Sequence, residues 1–277
     1  MTSHRSMEDE KLKKKGIITK TSHTSLGPVE LPVFCSDGSA VAAFFTCDYE
    51  KAAQKLEGTG LYPIEVSTGK AIAALGLFEY RQSTLEPYNE GFLMIAVSPQ
   101  PKMSLLAQRL QLFMPAEKRK LGFYTLDLPI TEELPLVAGR EIWGVPKFLA
   151  DIPLSFSNYR FRGEVLVKST GEKILSLESS FNKGMPFRFL DSMVYSNHQD
   201  SILKIISNFN CSVKITRDKE ARIEVGPIDH PMAHNLRDLE LDGATPFLLQ
   251  TADKIEFILN DGIRVMTHPS PPLPYGD

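Results

Sequence analysis

From about Val29 to Ile263 the chain is a succession of short apolar or alternating stretches, broken repeatedly by clusters of Gly, Pro, Asn, Asp and Ser. Residues 40–46, 61–66, 70–80, 92–97, 122–128, 134–143 and 148–154 read as strands. Residues 159–168 and 173–181 read as a hairpin joined through Ser169-Thr170-Gly171-Glu172, where Gly171 supplies a turn conformation that other residues resist. Only three short helices are expected. Asp48 caps one over 49–56, Ser104 caps one over 105–112, and Asp200 or Ser201 opens one running through Ser207. Strands in this number, without regular intervening helices, predict an antiparallel sheet that is curled or closed and exclude a doubly wound nucleotide-binding fold.

With 42% hydrophobic and 23% charged residues among 277, the chain has enough apolar surface to offset its ordering entropy. Its 31 Lys and Arg against 34 Asp and Glu lack the basic excess that phosphate-backbone binding requires, so no nucleic acid is expected as a partner. The longest apolar runs, 71–78 and 91–97, fall short of the ~20 residues of a spanning helix, so no membrane is expected either. Residues 1–20 are expected to form a flexible arm rich in Lys11, Lys13, Lys14 and Lys15, with no apolar secretory core, and 21–277 a single domain. The Pro-rich stretch 268–274 reads as an extended tail. Cys35, Cys47 and Cys211 match neither a disulfide framework nor a zinc site, which suits a reducing cytoplasm.

The most informative segment is Gly139 to Ala150, in which Lys147 is the single charge between Ile142 and Ala150. Strand alternation would put Glu141, Trp143, Val145, Lys147 and Leu149 on one face, setting the lysine among large apolar side chains. Pro146 cannot donate to a ladder and implies an edge or bulge there. Desolvation favours the neutral amine over the ammonium, and only the neutral amine attacks a ketone. The alternative is a lysine whose stem lies on apolar surface with its head in water. Six strand residues would separate Glu141 from Lys147 by roughly 20 Å, so an acid serving the lysine must come from elsewhere.

Gly139-Arg140-Glu141 followed by Val145-Pro146-Lys147 resembles the active-site segment of the acetoacetate decarboxylase family, in which the lysine after proline forms a Schiff base. Tyr88-Asn89-Glu90 is similar to the family's Tyr-x-Glu element, Phe78-Glu79 to an upstream Phe-Glu, and Asp229-His230-Pro231-Met232-Ala233 to a late Asp-His-x-Met-Ala segment. The resemblance implies a β-rich α+β fold, a large antiparallel sheet curled into a closed, cone-like barrel with a few peripheral helices. It also implies homo-oligomers and a small keto-acid substrate. Lys147 and Glu90 would be catalytic, and Glu79, Arg140, Val145 and Phe148 would bind substrate. Two departures stand out: Phe148 replaces the second lysine of the decarboxylases, and 35–40 lack the arginine they carry before the strand at 42–46.

Without the resemblance, Asn89-Glu90-Gly91 reads as a turn with a solvated acid and Glu79 as inward or at a wet strand end, while Arg140, on the strand face opposite Lys147, reads equally as a partner in a structural ion pair or as a substrate contact. His230 and His234 have helical metal-ligand spacing, but Pro231 interrupts them and no third ligand is suggested, so no metal and no cofactor are expected. Two glycine-containing turns lack phosphate-loop spacing, and no G-x-S-x-G elbow occurs. The leading expectation is a Schiff-base lyase that decarboxylates a β-keto acid through Lys147. An aldol or dehydration outcome on a larger keto acid, and a non-catalytic barrel binding a small apolar ligand, remain open beside it.

Overall fold

The computed structural model describes residues 16–157, 159–267 and 275. The Lys-rich start (1–15) and the Pro-rich stretch 268–274 lie outside them. β1 (Lys20–Thr24) and β2 (Gly27–Leu31) pair as a separate ribbon. The main sheet takes β3 (Val33–Asp48), β4 (Tyr62–Pro63), β5 (Lys70–Ser83), β6 (Tyr88–Ser98), β7 (Gly122–Ile130), β8 (Lys147–Asp151), β9 (Leu154–Ser157), β10 (Arg160–Val167) and β11 (Lys173–Ser180). It continues through β12 (Met185–Arg188), β13 (Ser192–His198), β14 (Ser201–Phe209), β15 (Ser212–Thr216), β16 (Arg222–Val225), β17 (Leu248–Ala252), β18 (Phe257–Leu259) and β19 (Ile263–Thr267), closing on itself as a barrel. Four helices are described: α1 (Tyr49–Gln54), α2 (Leu105–Leu112), α3 (Glu133–Trp143) and α4 (Pro231–Asp238). This is the β-rich, closed α+β architecture expected.

Local chemistry sets several elements as expected. Asp48 accepts from Lys51 N at 3.0 Å to start α1, and Ser104 accepts from Ala107 N at 3.3 Å to start α2. β10 and β11 form the expected hairpin, with Gly171 at φ +71° in its turn. No helix among the described residues is long and apolar enough to cross a membrane.

Two expectations need correction. Residues 134–143 belong to a helix. α3 has Glu133 and Pro135 in its first turn and stops at Gly144, whose φ of 62° is the left-handed conformation that ends helices. Its buried residues Pro135, Ala138, Gly139 and Trp143 recur at helical spacing, a stripe hidden among nearly continuous apolar residues. The helix also changes topology. It carries the chain back across the sheet, so β8 runs parallel to β7, with Leu128 beside Lys147 and Ile130 beside Leu149. The expected helix after Asp200 is instead β14, returning from β13 with His198 opposite Ser201. Both faces of β14 are covered, Ile202 and Ile206 on one side and Leu203 and Ile205 on the other, and Lys204 between them is itself buried, its Nζ donating to the Glu117 and Arg119 carbonyls.

The sheet separates two apolar clusters that differ in tightness. Leu75, Leu77, Leu93 and Ile95 on one face are 0% exposed, whereas Phe78, Tyr80, Tyr88, Val145 and Phe257 on the other each keep 6–9% of their surface open.

Asp127 on β7 is wholly buried on the tight side. One of its oxygens accepts from the Tyr275 hydroxyl and the other from Asn235 Nδ2 at 2.9 Å. Burial pushes its carboxyl up from 3.8 to about 6, against those two hydrogen bonds and the charge of Lys55, which hold it down. Between these values the folded chain keeps a proton that the unfolded chain has released. The resulting stability is fully present below the unfolded value and is lost as pH rises through about 6. Urea unfolding from pH 4 to 7 should therefore cost wild type on the order of 3 kcal/mol relative to Asp127→Asn; parallel stability curves for the two proteins would refute the assignment.

Candidate active site

The site begins with strand parity. Side chains on a strand alternate between faces, so Phe78 and Tyr80 share one face of β5 while Glu79 and Arg81 share the other. In the antiparallel register Phe78 lies opposite Glu90 and Tyr80 opposite Tyr88, so Tyr-x-Glu places both of its functional side chains on the Phe78–Tyr80 face. Tyr80 and Tyr88 meet edge to face at 4.7 Å between ring centres, and Phe257 closes on Tyr80 at 5.5 Å. The Tyr80 hydroxyl donates to Glu90 Oε1 at 3.3 Å. Burial first, then the Glu90 charge, pushes the Tyr80 phenol well above its ordinary value, and the same two causes raise Tyr88. Both hydroxyls therefore stay protonated at any physiological pH.

Lys147 opens β8 directly after α3. Its Nζ donates to Glu90 Oε2 at 2.9 Å and sits 5.8 Å from the centre of the Tyr88 ring. The side chains of Lys147 and Glu90 are only 8% and 14% exposed. The lysine stem reaches its partner by passing under α3 at Gly139, where a Cβ would lie 2.4 and 2.5 Å from Lys147 Cδ and Cε. The sequence places the lysine among apolar groups, and the structure adds the carboxylate beside it. Glu141 is not that partner: its carboxylate accepts from Ser25 N at 2.8 Å, and the intervening residues are helix and turn, not extended strand.

The other expected site residues are placed differently. Glu79 lies on the face away from Lys147, paired with Arg81 at 2.5 Å, while the guanidinium also binds Asp37 at 2.8 Å and Ser39 Oγ at 2.8 Å. Arg81 thus reaches the 35–40 segment from a neighbouring strand, but its donors are already engaged there. Arg140 is not opposite Lys147 on a strand; from α3 its Nε donates to the Lys147 carbonyl at 2.9 Å. Val145 is on the lysine side, and its carbonyl accepts from Lys147 N at 2.8 Å. Phe148, one residue on from the lysine, turns to the tight face and stacks on Tyr275 with ring centres 4.3 Å apart. His230 caps α4 by accepting from Met232 N at 3.2 Å, with Pro231 tolerated at the first helical position, and His234 pairs with Asp229. No group of three or more potential ligands able to hold a metal is found among the described residues.

Sequence reasoning did not single out Tyr80, Asp127 or Tyr275. Tyr80 was accessible through parity, since the residue two before it in Phe78-Glu79-Tyr80 shares its face. The other two depend on contacts between segments far apart in the chain.

Comparison with known proteins gives the family and the fold. The acetoacetate decarboxylase family model matches residues 18–223. No curated protein sequence matches the chain. An acetoacetate decarboxylase from Legionella pneumophila has a similar fold, at a TM-score of 0.62 and 14% identity over 85% of this chain and 88% of that one. An acetoacetate decarboxylase-like enzyme from Sphingomonas wittichii RW1 gives 0.58 and 14% over 86% and 94%. The enduracididine biosynthesis enzyme MppR, in complex with pyruvate, gives 0.56 and 11% over 85% and 91%. The match over most of the chain, on a barrel that sets a buried lysine against a glutamate, makes this chain a member of the acetoacetate decarboxylase family.

Proposed function

We propose that the protein is a Schiff-base lyase in which Lys147 condenses with the ketone of a β-keto acid and carbon dioxide is then released. The carrying observation is the Lys147–Glu90 pair, 2.9 Å apart and largely buried beside the rings of Tyr80 and Tyr88. An ammonium cannot attack, and Glu90 is the acceptor within hydrogen-bond reach for its proton. The free amine adds to the carbonyl carbon, and the carbinolamine hydroxyl leaves as water after protonation by the Glu90 acid. The resulting protonated imine withdraws the electron pair of the breaking carbon–carbon bond. The enamine is then protonated at carbon and hydrolysed, returning the amine. Tyr80 holds Glu90 in place for both proton transfers. Glu79, facing away beside Arg81, has no contact with substrate in this scheme.

A second outcome on the same imine, condensation or dehydration of a larger keto acid, is favoured by one observation. Arg81, the guanidinium that reaches the 35–40 segment, is committed to Asp37, Glu79 and Ser39, so it offers no open fork to a small substrate's carboxylate. The MppR structures with pyruvate, and with its condensation product with imidazole 4-carboxaldehyde, make this outcome chemically concrete for that enzyme. The reading also carries a homo-oligomer in a reducing cytoplasm; Cys35, Cys47 and Cys211 form no disulfide.

Borohydride reduction in the presence of acetoacetate or pyruvate should add one substrate mass to the peptide holding Lys147, with no adduct in Lys147→Ala; absence of any adduct, or an adduct on another lysine, defeats the imine mechanism. Carbon dioxide release across a panel of β-keto acids then separates decarboxylation from the second outcome. Glu90→Gln keeps the shape but removes the proton acceptor, and single-turnover trapping should slow by ~10²–10⁴-fold with little change in substrate affinity. Gly139→Ala should fold, because the group it meets is a flexible stem, yet displace the amine and cut the trapping rate by on the order of 10²-fold. A wild-type rate in either variant would contradict the role given to that position.

A further inference from the structure

We propose that Tyr275 is a positioning residue for Lys147, clamping the backbone that carries the amine from the opposite side of the sheet. The inference rests on the reading of Lys147 as the reactive amine. Three parts of one residue converge there. The Tyr275 ring stacks on Phe148, the residue after the lysine, with centres 4.3 Å apart, and lies 5.9 Å from the His230 ring. Its hydroxyl donates to Asp127, which directly precedes Leu128, the residue that pairs with Lys147 across β7 and β8. Its carbonyl accepts from Arg140 Nη2 at 3.3 Å, while Nε of the same guanidinium donates to the Lys147 carbonyl at 2.9 Å.

Each contact restrains a different degree of freedom. The stacked ring fixes Phe148, and because adjacent strand residues point to opposite faces, a fixed Phe148 sets the direction in which Lys147 leaves the sheet. The Arg140 bridge ties the lysine's own carbonyl to α3 and to Tyr275 together. The Asp127 bond anchors the clamp to β7, the strand lying between Lys147 on β8 and Glu90 on β6. Asp127 is itself held by Asn235 of α4 at 2.9 Å, so the anchor is braced from two elements. A side chain needed only to fill space on the tight face would not require the hydroxyl.

The test compares Tyr275→Ala and Tyr275→Phe with wild type in the full chain. Two readouts need no keto acid: amide hydrogen exchange in Lys147–Asp151, and reductive methylation of Lys147 by limiting formaldehyde and cyanoborohydride, scored against the other lysines by mass spectrometry. The third is trapping with pyruvate or acetoacetate. In Tyr275→Ala, exchange in Lys147–Asp151 should quicken about tenfold while the β10–β11 hairpin is unchanged. Relative methylation of Lys147 should change at least about threefold, and the trapping rate should fall about tenfold with substrate affinity within about threefold. Tyr275→Phe keeps the ring and carbonyl but loses the anchor to Asp127, and should recover only part of the loss. A variant that melts at lower temperature but keeps wild-type exchange and methylation at Lys147 would show a merely structural residue and overturn the proposal. If wild type itself traps no keto acid, the imine reading fails, and exchange with methylation still decides the clamp.

Discussion

One buried ion pair organises the site. Lys147 and Glu90 stand on β8 and β6, with β7 between them, so their backbones are two strand spacings apart, roughly 10 Å. Only a long side chain closes that gap, and the four-carbon stem of lysine does so with its head 2.9 Å from the carboxylate. Taking either charge out of water alone would be costly, whereas together they satisfy each other. The same arrangement limits what can surround them. Tyr80 and Tyr88 contribute apolar area with one polar tip apiece, so the walls exclude water from the pair without adding a competing charge.

The two faces of the sheet then divide the work. The tight face supplies most of the packing, and Asp127 crosses it bonded to Tyr275 and Asn235. Residues adjacent in sequence therefore serve different ends: Glu79 pairs with Arg81 on one side while Phe78 and Tyr80 wall the other, and Phe148 packs behind the sheet while Lys147 projects in front of it.

What the sequence disclosed follows from how local each signal is. Caps such as Asp48 and Ser104, and the Gly171 turn, act within a few residues, so the elements they start or join can be read directly. Lys147 stood out because a charge in an apolar run is expensive wherever the run lies. The strand reading failed for 134–143 because residues 134–139 are an apolar run with no period to measure, and the helix reading failed after 200 because Asp200 and Ser201, residue types that also cap helices, here close the hairpin turn into β14. The helix error propagated. It hid the parallel pairing of β8 and set Arg140 on a strand face it does not occupy, although the conclusion that Glu141 is not the lysine's partner survives on other contacts. Glu90 was legible only by resemblance, since its pairing with Lys147 spans 57 positions and depends on the register of two intervening strand pairs.

Once α3 is recognised as a helix, the spacing of the lysine segment acquires a physical basis. Gly139 faces β8 from the helix, and nothing larger would let the stem of Lys147 pass. Arg140, one residue on, reaches down to the Lys147 carbonyl and fixes the head of the strand. Gly144 must reverse the chain at positive φ, and a Cβ there would lie 2.0 Å from the Asn197 carbonyl, so the position tolerates neither the conformation nor the bulk of another residue. Pro146 has no N–H to leave unpaired at the turn, while its carbonyl accepts from Leu128 N at 3.2 Å and starts the parallel ladder one residue before the lysine. Helix end, reversal and strand start thus occupy the residues between Gly139 and Lys147 with little slack. Lengthening or shortening that segment by one residue would move the amine away from both Gly139 and Glu90, because a one-residue slip in β8 turns Lys147 to the tight face and Phe148 toward the acid.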